Sequence, residues 1–265
     1  MIINDPDGDL HVIDDGPRGA PVLLLLHGTA SSLHAYDRLA PLLTSRYRVI
    51  MIDLLGHGRS AKPDDAPYEI VDHGRRTGRV LDRLGVPRAI VVGHSTGGSV
   101  ATALAEQRPE LVRGLVLINS GPRLDAYTAP PLAIDPAAWD SLTDDQLRQA
   151  MESAFSRPGF RPPQELVEDL RGMTFRSFAA ILQAAEGYLR AEPLPDRLAR
   201  LGLPLLVIFG ADDRRWLPSS AADYQVVPGA RLKLLPGLGH TPQLEDPERT
   251  AEPLLDFVER LNNAP

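Results

Sequence analysis

A serine between two glycines is the part of this chain best suited to chemistry. The segment Gly93-His94-Ser95-Thr96-Gly97 follows the apolar run Ala89–Val92 and precedes small residues typical of a closely packed helix. A turn this tight between a strand and a helix holds its central residue, Ser95, in a strained backbone conformation and exposes the serine hydroxyl. The next N–H faces the same space at the helix start. An ordinary turn is the alternative, but the flanking strand and helix favour Ser95 as a nucleophile.

A base and an acid follow two later predicted strands. Asp212 and Asp213 come after the apolar run Leu205–Phe209, and His240 comes after Arg231–Leu235 through a Gly-Leu-Gly approach. Open α/β sheets bind ligands at the carboxyl ends of their parallel strands, so these side chains can meet the serine at one edge. An imidazole takes and returns protons near neutral pH. His240 is therefore the candidate base, one aspartate would orient it, and the other would cap the turn.

Other residues are candidates to surround this site. His27 and His57 stand at predicted strand ends, whereas the side chain of His94 should point away from the serine hydroxyl. We also assign aromatic residues to a possible substrate pocket, although helix or core packing is the alternative role for each of them. Together with His27, which we also assign to this pocket, the candidates are Phe155, Phe178 and Trp216.

The composition narrows the possible functions. The chain has 265 residues, 43% of them hydrophobic and 24% charged, which is typical of a globular domain. A net charge of −7 argues against a nucleic-acid partner, and the lack of cysteine excludes disulfides, thiolate metal sites and cysteine nucleophiles. We find no signal-peptide pattern and no apolar run of membrane-spanning length. We expect a cytoplasmic protein with a small-molecule substrate and no membrane partner, as a monomer or a homodimer.

The spacing of apolar runs predicts an α/β fold. Near-continuous apolar stretches of strand length alternate with helical patterns, which predicts a doubly wound, mostly parallel sheet with helices on both faces. The predicted strands are Val22–Leu26, Val49–Ile52, Ala89–Val92, Leu115–Ile118, Leu205–Phe209 and Arg231–Leu235, and the predicted helices are 35–45, 69–84, 96–107 and 247–261.

The pattern changes between residues 122 and 195, where no strand is predicted. A capping box at Thr143 to Gln146 begins one amphipathic helix, Pro162 and Pro163 begin a second, and a third starts near Phe175. Helices inserted between consecutive strands of one sheet indicate a lid. We therefore predict a core formed by residues 1–121 and 196–265, with a helical cap at 122–195.

These motifs together resemble the serine α/β-hydrolase family. The matching segments are Leu26–Thr29, Asp53–Ser60, Gly93–Gly98, Gly210–Asp213 and Gly239–His240, within the predicted sheet. The resemblance implies the α/β-hydrolase fold and a Ser-His-Asp triad. It also implies no metal or other cofactor.

The resemblance further implies individual roles. It favours Asp213 over Asp212 as the acid, because the family's acid lies three residues beyond the glycine. It implies an oxyanion hole made by the backbone N–H groups of Thr29 and Thr96. The implied activity is hydrolysis of an ester, lactone or related acyl bond in a small, partly apolar molecule.

Three other functions remain in competition. Relatives that open epoxides or cleave carbon–halogen bonds carry aspartate at the position of Ser95, so those reactions are not expected. Carbon–carbon bond hydrolases often have tryptophan where this chain has Thr241, and cofactor-free haloperoxidases an aromatic residue where it has Thr29. Those departures leave carbon–carbon hydrolysis and perhydrolysis open as alternatives. A non-catalytic ligand-binding or accessory protein with this fold is the alternative from another class.

Overall fold

One sheet of eight strands organises the computed structural model, which describes residues 1–130 and 135–263. The strands are β1 (Ile2–Ile3), β2 (Leu10–Asp15), β3 (Val22–Leu26), β4 (Arg48–Ile52), β5 (Ala89–His94), β6 (Val112–Ile118), β7 (Leu205–Gly210) and β8 (Arg231–Leu235). Their order is β1-β2-β4-β3-β5-β6-β7-β8. Strands β3 to β8 are parallel, and β1 and β2 are antiparallel additions at one edge. This is the predicted fold class.

Alternate residues of each central strand face two separate cores. In β3, Leu24 and Leu26 belong to the core that contains the first two long helices, whereas Leu23 and Leu25 belong to the opposite core. Side chains alternate across a strand, so a strand covered on both faces must be apolar at every position. The continuous run Val22–Leu26 has this property, which is why the sequence identified it.

Eight α-helices lie within the described residues. They are α1 (Ile70–Arg83), α2 (Thr96–Gln107), α3 (Asp144–Met151), α4 (Gln164–Arg171), α5 (Phe175–Ala191), α6 (Leu194–Leu201), α7 (Pro242–Glu245) and α8 (Pro247–Asn263). Leucine and valine side chains of α1 and α2 pack on one face of the sheet, and those of α8 pack on the other. No helix of the described part of the chain is long and apolar enough to cross a membrane.

Helices α3 to α6 form an insert between β6 and β7. The predicted capping box is present, with Thr143 accepting from the Gln146 backbone N–H and the Gln146 side chain accepting in return. The predicted cap range of 122–195 includes residues 131–134, which lie outside the described residues. Helix α6 runs across the predicted boundary between 195 and 196.

Several elements differ from the sequence prediction, including the short elements β1 and α7, which were not predicted. The predicted helix at 35–45 consists of two short 3₁₀ turns, Leu33–Tyr36 and Ala40–Leu42. Pro41 has no N–H to donate to the preceding turn, so a continuous α-helix cannot pass through it. Strand β2 was not predicted, because its sequence Leu10–Asp15 mixes apolar and acidic residues. It forms a strand because it pairs with β4 at the edge of the sheet.

Candidate active site

The turn between β5 and α2 holds Ser95 in a strained conformation. Its φ of 52° lies in the left-handed region, which non-glycine residues rarely adopt. The backbone is held on both sides, since the Ser95 N–H donates to Ile118 O at 2.9 Å and the Ser120 hydroxyl donates to Ser95 O at 2.9 Å. At Gly97 a Cβ atom would lie 2.2 Å from Leu26 O, so a side chain there would push the helix away from β3. The strain at Ser95 is therefore supported by its neighbours.

The two residues predicted to form an oxyanion hole lie side by side. The hydroxyls of Thr29 and Thr96 are 2.9 Å apart, which joins the loop after β3 to the start of α2. The loop approaches closely because a Cβ atom at Gly28 would lie 2.9 Å from Ser95 Cβ. Ala30 in the same loop also has a positive φ, of 57°. This arrangement holds both backbone segments against the serine turn.

Asp213 and His240 form a buried pair. The Nδ1 atom of His240 is 2.9 Å from Asp213 Oδ2, and the two side chains are 1% and 0% exposed. The other carboxylate oxygen accepts the backbone N–H groups of Arg215 and Trp216 at 2.7 and 3.2 Å. Burial raises the pKa of Asp213, but the electrostatic attraction and hydrogen bond of His240, together with the hydrogen bonds from Asn119 and the Arg215 backbone, outweigh it, and the pKa lies below its ordinary value. The carboxylate is therefore ionised at neutral pH.

This pairing defines which nitrogen of His240 is available. An ionised carboxylate only accepts hydrogen bonds, so Nδ1 of His240 carries the proton. Its Nε2 atom is buried and has no hydrogen-bond partner among the described residues. The free lone pair on Nε2 is the property required of a general base. The adjacent Asp212, by contrast, is exposed and makes no side-chain contact with the imidazole.

Comparisons with known proteins identify the family of the chain. The profile of the alpha/beta hydrolase family matches residues 23–252. The chain belongs to the alpha/beta hydrolase family. A pimeloyl-acyl-carrier-protein methyl ester esterase from Edwardsiella ictaluri is 31% identical, over 89% of this chain and 93% of that protein. A magnesium-chelatase 30 kDa subunit from Rhodobacter capsulatus is also 31% identical, over 95% and 91%. The solved structure of an N-acyl homoserine lactone degrading enzyme has 26% identity and a TM-score of 0.77, covering 97% of this chain and 100% of that one.

Asn119 is a site residue of this alpha/beta hydrolase that the sequence analysis did not identify. It lies directly after β6 with a positive φ of 45° and is completely buried. Its side-chain NH₂ group donates to Asp213 Oδ2 at 2.7 Å, and its side-chain oxygen Oδ1 accepts the Gly210 N–H at 3.1 Å. Its position at the end of a buried parallel strand was a usable signal, because such ends converge on the site.

His94 supports His240 through the backbone. Its Nε2 atom lies 2.8 Å from His240 O, and the two rings are 5.0 Å apart. Burial and the neighbouring His240 lower the pKa of His94 well below its ordinary value, so the ring is neutral and donates through Nε2. The sequence did not indicate that this side chain reaches the loop after β8.

Glu245 links that loop to the insert. Its completely buried carboxylate accepts three backbone N–H groups: Gly239 at 3.0 Å, Ser156 at 2.9 Å and Arg157 at 2.6 Å. Gly239 immediately precedes His240, so one side chain holds the histidine loop and the segment after α3 together. No sequence signal marked this role, since the two ends of the link are 89 residues apart.

The four pocket candidates lie in different surroundings. His27 is completely buried, with Nδ1 donating to Gly28 O and Nε2 accepting the Leu54 N–H, so it holds two loops and has no free polar atom for a substrate. This corrects its assignment to the pocket. Phe155 stacks on Phe160, and Phe178 packs on Trp139 within the insert. Trp216 covers Gly121, where a Cβ atom would lie 2.2 Å from its ring.

A second contact joins the insert to the loop after β3. Ser32 donates a hydrogen bond to the carboxylate of Asp169 on α4. Burial raises the pKa of Asp169 to about 6 from an ordinary 3.8, despite the bond from Ser32 and the charge of His34. The folded protein therefore binds a proton at Asp169 more tightly than the unfolded chain does.

This shift has a consequence for stability. Stabilisation by the bound proton is fully present below the unfolded pKa and is lost as the pH rises through about 6. We expect Asp169→Asn to be more stable than the wild type at pH 8 by about 1 to 3 kcal/mol, since one pKa unit is about 1.4 kcal/mol. The two proteins should converge near pH 4. Urea unfolding of both at each pH measures this; a difference that does not grow with pH would contradict it.

Proposed function

We propose that the protein is a serine hydrolase that cleaves an ester or lactone through an acyl-enzyme. The observation that carries this proposal is the Nε2 atom of His240, which has no hydrogen-bond partner among the described residues. The imidazole is oriented by Asp213, whose Oδ2 atom lies 2.9 Å from Nδ1. In this proposal the residue at the strained turn, Ser95, is the nucleophile. We further propose that the Thr29 and Thr96 N–H groups bind the developing oxyanion.

Acylation uses these groups in sequence. Ser95 Oγ attacks the carbonyl carbon while His240 Nε2 takes its proton, and the carbonyl oxygen becomes an oxyanion. Two backbone donors in a preorganised site stabilise that charge without reorganisation. The intermediate then collapses: the bond to the alkoxide breaks and His240 returns the proton to the leaving oxygen. In a lactone the alcohol formed remains part of the same acyl group.

Deacylation repeats the proton transfers with water. His240 Nε2 takes a proton from the water that attacks the acyl carbon, then gives it to Ser95 Oγ as the ester bond breaks. The products are a carboxylic acid and the regenerated serine. Throughout, the ionised Asp213 stabilises the imidazolium that forms at each transfer.

We propose a small, partly apolar substrate, admitted beneath the insert formed by α3 to α6. The proposal draws on relatives whose names describe a methyl ester esterase and a lactone-degrading enzyme. Carbon–carbon hydrolysis and perhydrolysis use the same groups. A panel of methyl esters of increasing acyl length and of acylated lactones, assayed at equal concentration, ranks the classes by kcat/KM.

A non-catalytic role is the second candidate, because one relative of similar identity is described as a chelatase subunit. An active-serine phosphonate probe separates the two. We expect the probe to label the wild type at Ser95, as located by peptide mass spectrometry, and to leave Ser95→Ala unlabelled. A wild-type protein that is folded and not labelled would favour the accessory role.

A further inference from the structure

A large cleft lies beside the candidate active site rather than in it. It has a volume of about 690 Å³ and is bounded by the insert and the loop after β7. Its lining includes the side chains of Arg148, Arg157 and Arg214 and the stacked pair of Phe155 and Phe160. Neither the predicted triad nor the predicted oxyanion residues line it. Its size suits a ligand of ordinary metabolite dimensions.

The three arginines of this cleft form only long ion pairs. Their nearest carboxylate oxygens are 3.6 Å away for Arg148 and Arg157 and 3.7 Å away for Arg214. Every other arginine that forms an ion pair within the described residues has a carboxylate oxygen within 3.2 Å, and Arg48 is a typical case at 2.8 Å. Among the arginines that form ion pairs in the described part of the chain, the three with the longest pairs therefore lie at this cleft.

Neutral oxygen atoms orient these side chains. Arg148 donates to the amide oxygen of Gln164, Arg157 to Glu245 O, and Arg214 to Glu152 O and Phe155 O. Each of these bonds uses a single terminal nitrogen of the guanidinium. The remaining N–H groups have no protein acceptor among the hydrogen bonds of the described residues. Guanidinium groups held in place with donors left over are suited to bidentate contacts with carboxylate or phosphate.

Two acidic residues limit the positive charge. Glu152 and Asp212 also line the cleft, so three guanidinium groups face two carboxylates. The Glu152 carboxylate is 71% exposed and 3.7 Å from Arg214, where solvent weakens its attraction. Asp144, Asp145 and Asp246 lie 3.6 to 3.8 Å from Arg148 and Arg157 but outside the lining, so the excess of positive charge is confined to the residues that line the cleft.

The stacked pair of Phe155 and Phe160 favours a ligand that also has an apolar part. The rings of Phe155 and Phe160 are 4.9 Å apart and nearly parallel, and Phe160 is only partly buried. A flat apolar group can pack against them while an attached anion reaches the arginines. One molecule that carries both an anion and a flat apolar group would therefore contact the arginines and the phenylalanine pair together.

We propose that this cleft binds an organic anion, a phosphate or carboxylate carried on an aromatic or other apolar body. The anion can be a distal part of the substrate or a separate ligand. In either case the cleft is connected to the candidate catalytic loops, because the Ser156 hydroxyl in its wall donates to Asp212 O at 2.7 Å. Asp212 is the neighbour of Asp213, so an occupied cleft restrains the loop that orients His240.

Calorimetric titration of the full chain with 2-naphthyl phosphate tests the proposal. We expect binding that weakens as salt is added, with inorganic phosphate and 2-naphthol each binding at least about tenfold more weakly, because charged hydrogen bonds and apolar burial both contribute. Arg148→Gln and Arg157→Gln should each weaken binding about tenfold. Glu152→Gln should strengthen it several-fold.

Arg190→Gln is the matched control, since Arg190 pairs with Glu186 on α5 outside the cleft. Wild-type affinity in folded Arg148→Gln and Arg157→Gln would overturn the proposal, as would equally tight binding of 2-naphthol. Titrations of Ser95→Ala keep this result independent of turnover. Competitive inhibition of ester cleavage by the phosphate identifies a substrate subsite, whereas inhibition that changes kcat alone identifies a separate ligand.

Discussion

Replacing Ser95 with alanine is expected to lower kcat by about 10⁶-fold, the loss seen when the nucleophile of a serine protease is removed. The fold should survive, because the turn is held through the backbone N–H and carbonyl of this residue rather than through its hydroxyl. Ester hydrolysis and phosphonate labelling should be lost together. Substrate binding, measured by calorimetry, should remain near the wild-type value.

A matched control lies one turn further along α2. Ser99 is buried and has no part in the proposed chemistry, so Ser99→Ala should retain labelling and most of the activity. A Ser95→Ala protein that is folded and hydrolyses esters within a hundredfold of the wild type would show that the nucleophile lies elsewhere.

The second large effect is expected at the acid. Asp213→Asn should lower kcat by about 10⁴-fold, as the equivalent change does in a serine protease. Loss of the negative charge removes the stabilisation of the imidazolium form of His240. When the amide oxygen keeps the two backbone N–H bonds, the NH₂ group faces His240 and donates to Nδ1, so the ring proton moves to Nε2 and the lone pair needed to take the serine proton is lost.

The surroundings of Asp213 make this substitution costly in a second way. One carboxylate oxygen accepts from His240 and Asn119, and the other accepts the N–H groups of Arg215 and Trp216. In either orientation, an asparagine amide places its NH₂ group against donors. We therefore expect Asp213→Asn to be destabilised by about 1 to 3 kcal/mol as well. Activity should be compared at a temperature at which thermal unfolding shows the variant to be folded.

Asp212→Asn supplies the internal comparison, because it makes the same chemical change one residue earlier. Its exposed carboxylate makes no hydrogen bond within the described residues, so we expect a change in kcat of less than about tenfold. A result with the two variants reversed would assign the acid to Asp212. Near-normal activity in both would mean that another group orients His240.

The sheet was predictable because burial of a strand on both faces requires a continuous apolar run in the local sequence. A central parallel strand must be apolar at every position, and runs such as Val22–Leu26 and Leu205–Phe209 satisfy this without reference to any partner. Strand β2 has no such run, since its pattern reflects pairing at the sheet edge with β4. The apolar pattern at 35–45 indicated a helix, but Pro41 has no backbone N–H to donate, so a continuous α-helix cannot form there.

The sequence by itself determined the elbow at Ser95, the order of serine, aspartate and histidine along the chain, and the family. These depend on short segments and on the convergence of parallel strand ends. Only the tertiary structure decided which aspartate meets the imidazole, and that Asn119, His94 and Glu245 support that pair. The contacts that do so join residues as far apart as His94 and His240, separated by 146 positions. Such a contact has no periodicity and no local spacing, because it exists only after the sheet has brought the ends of its strands together.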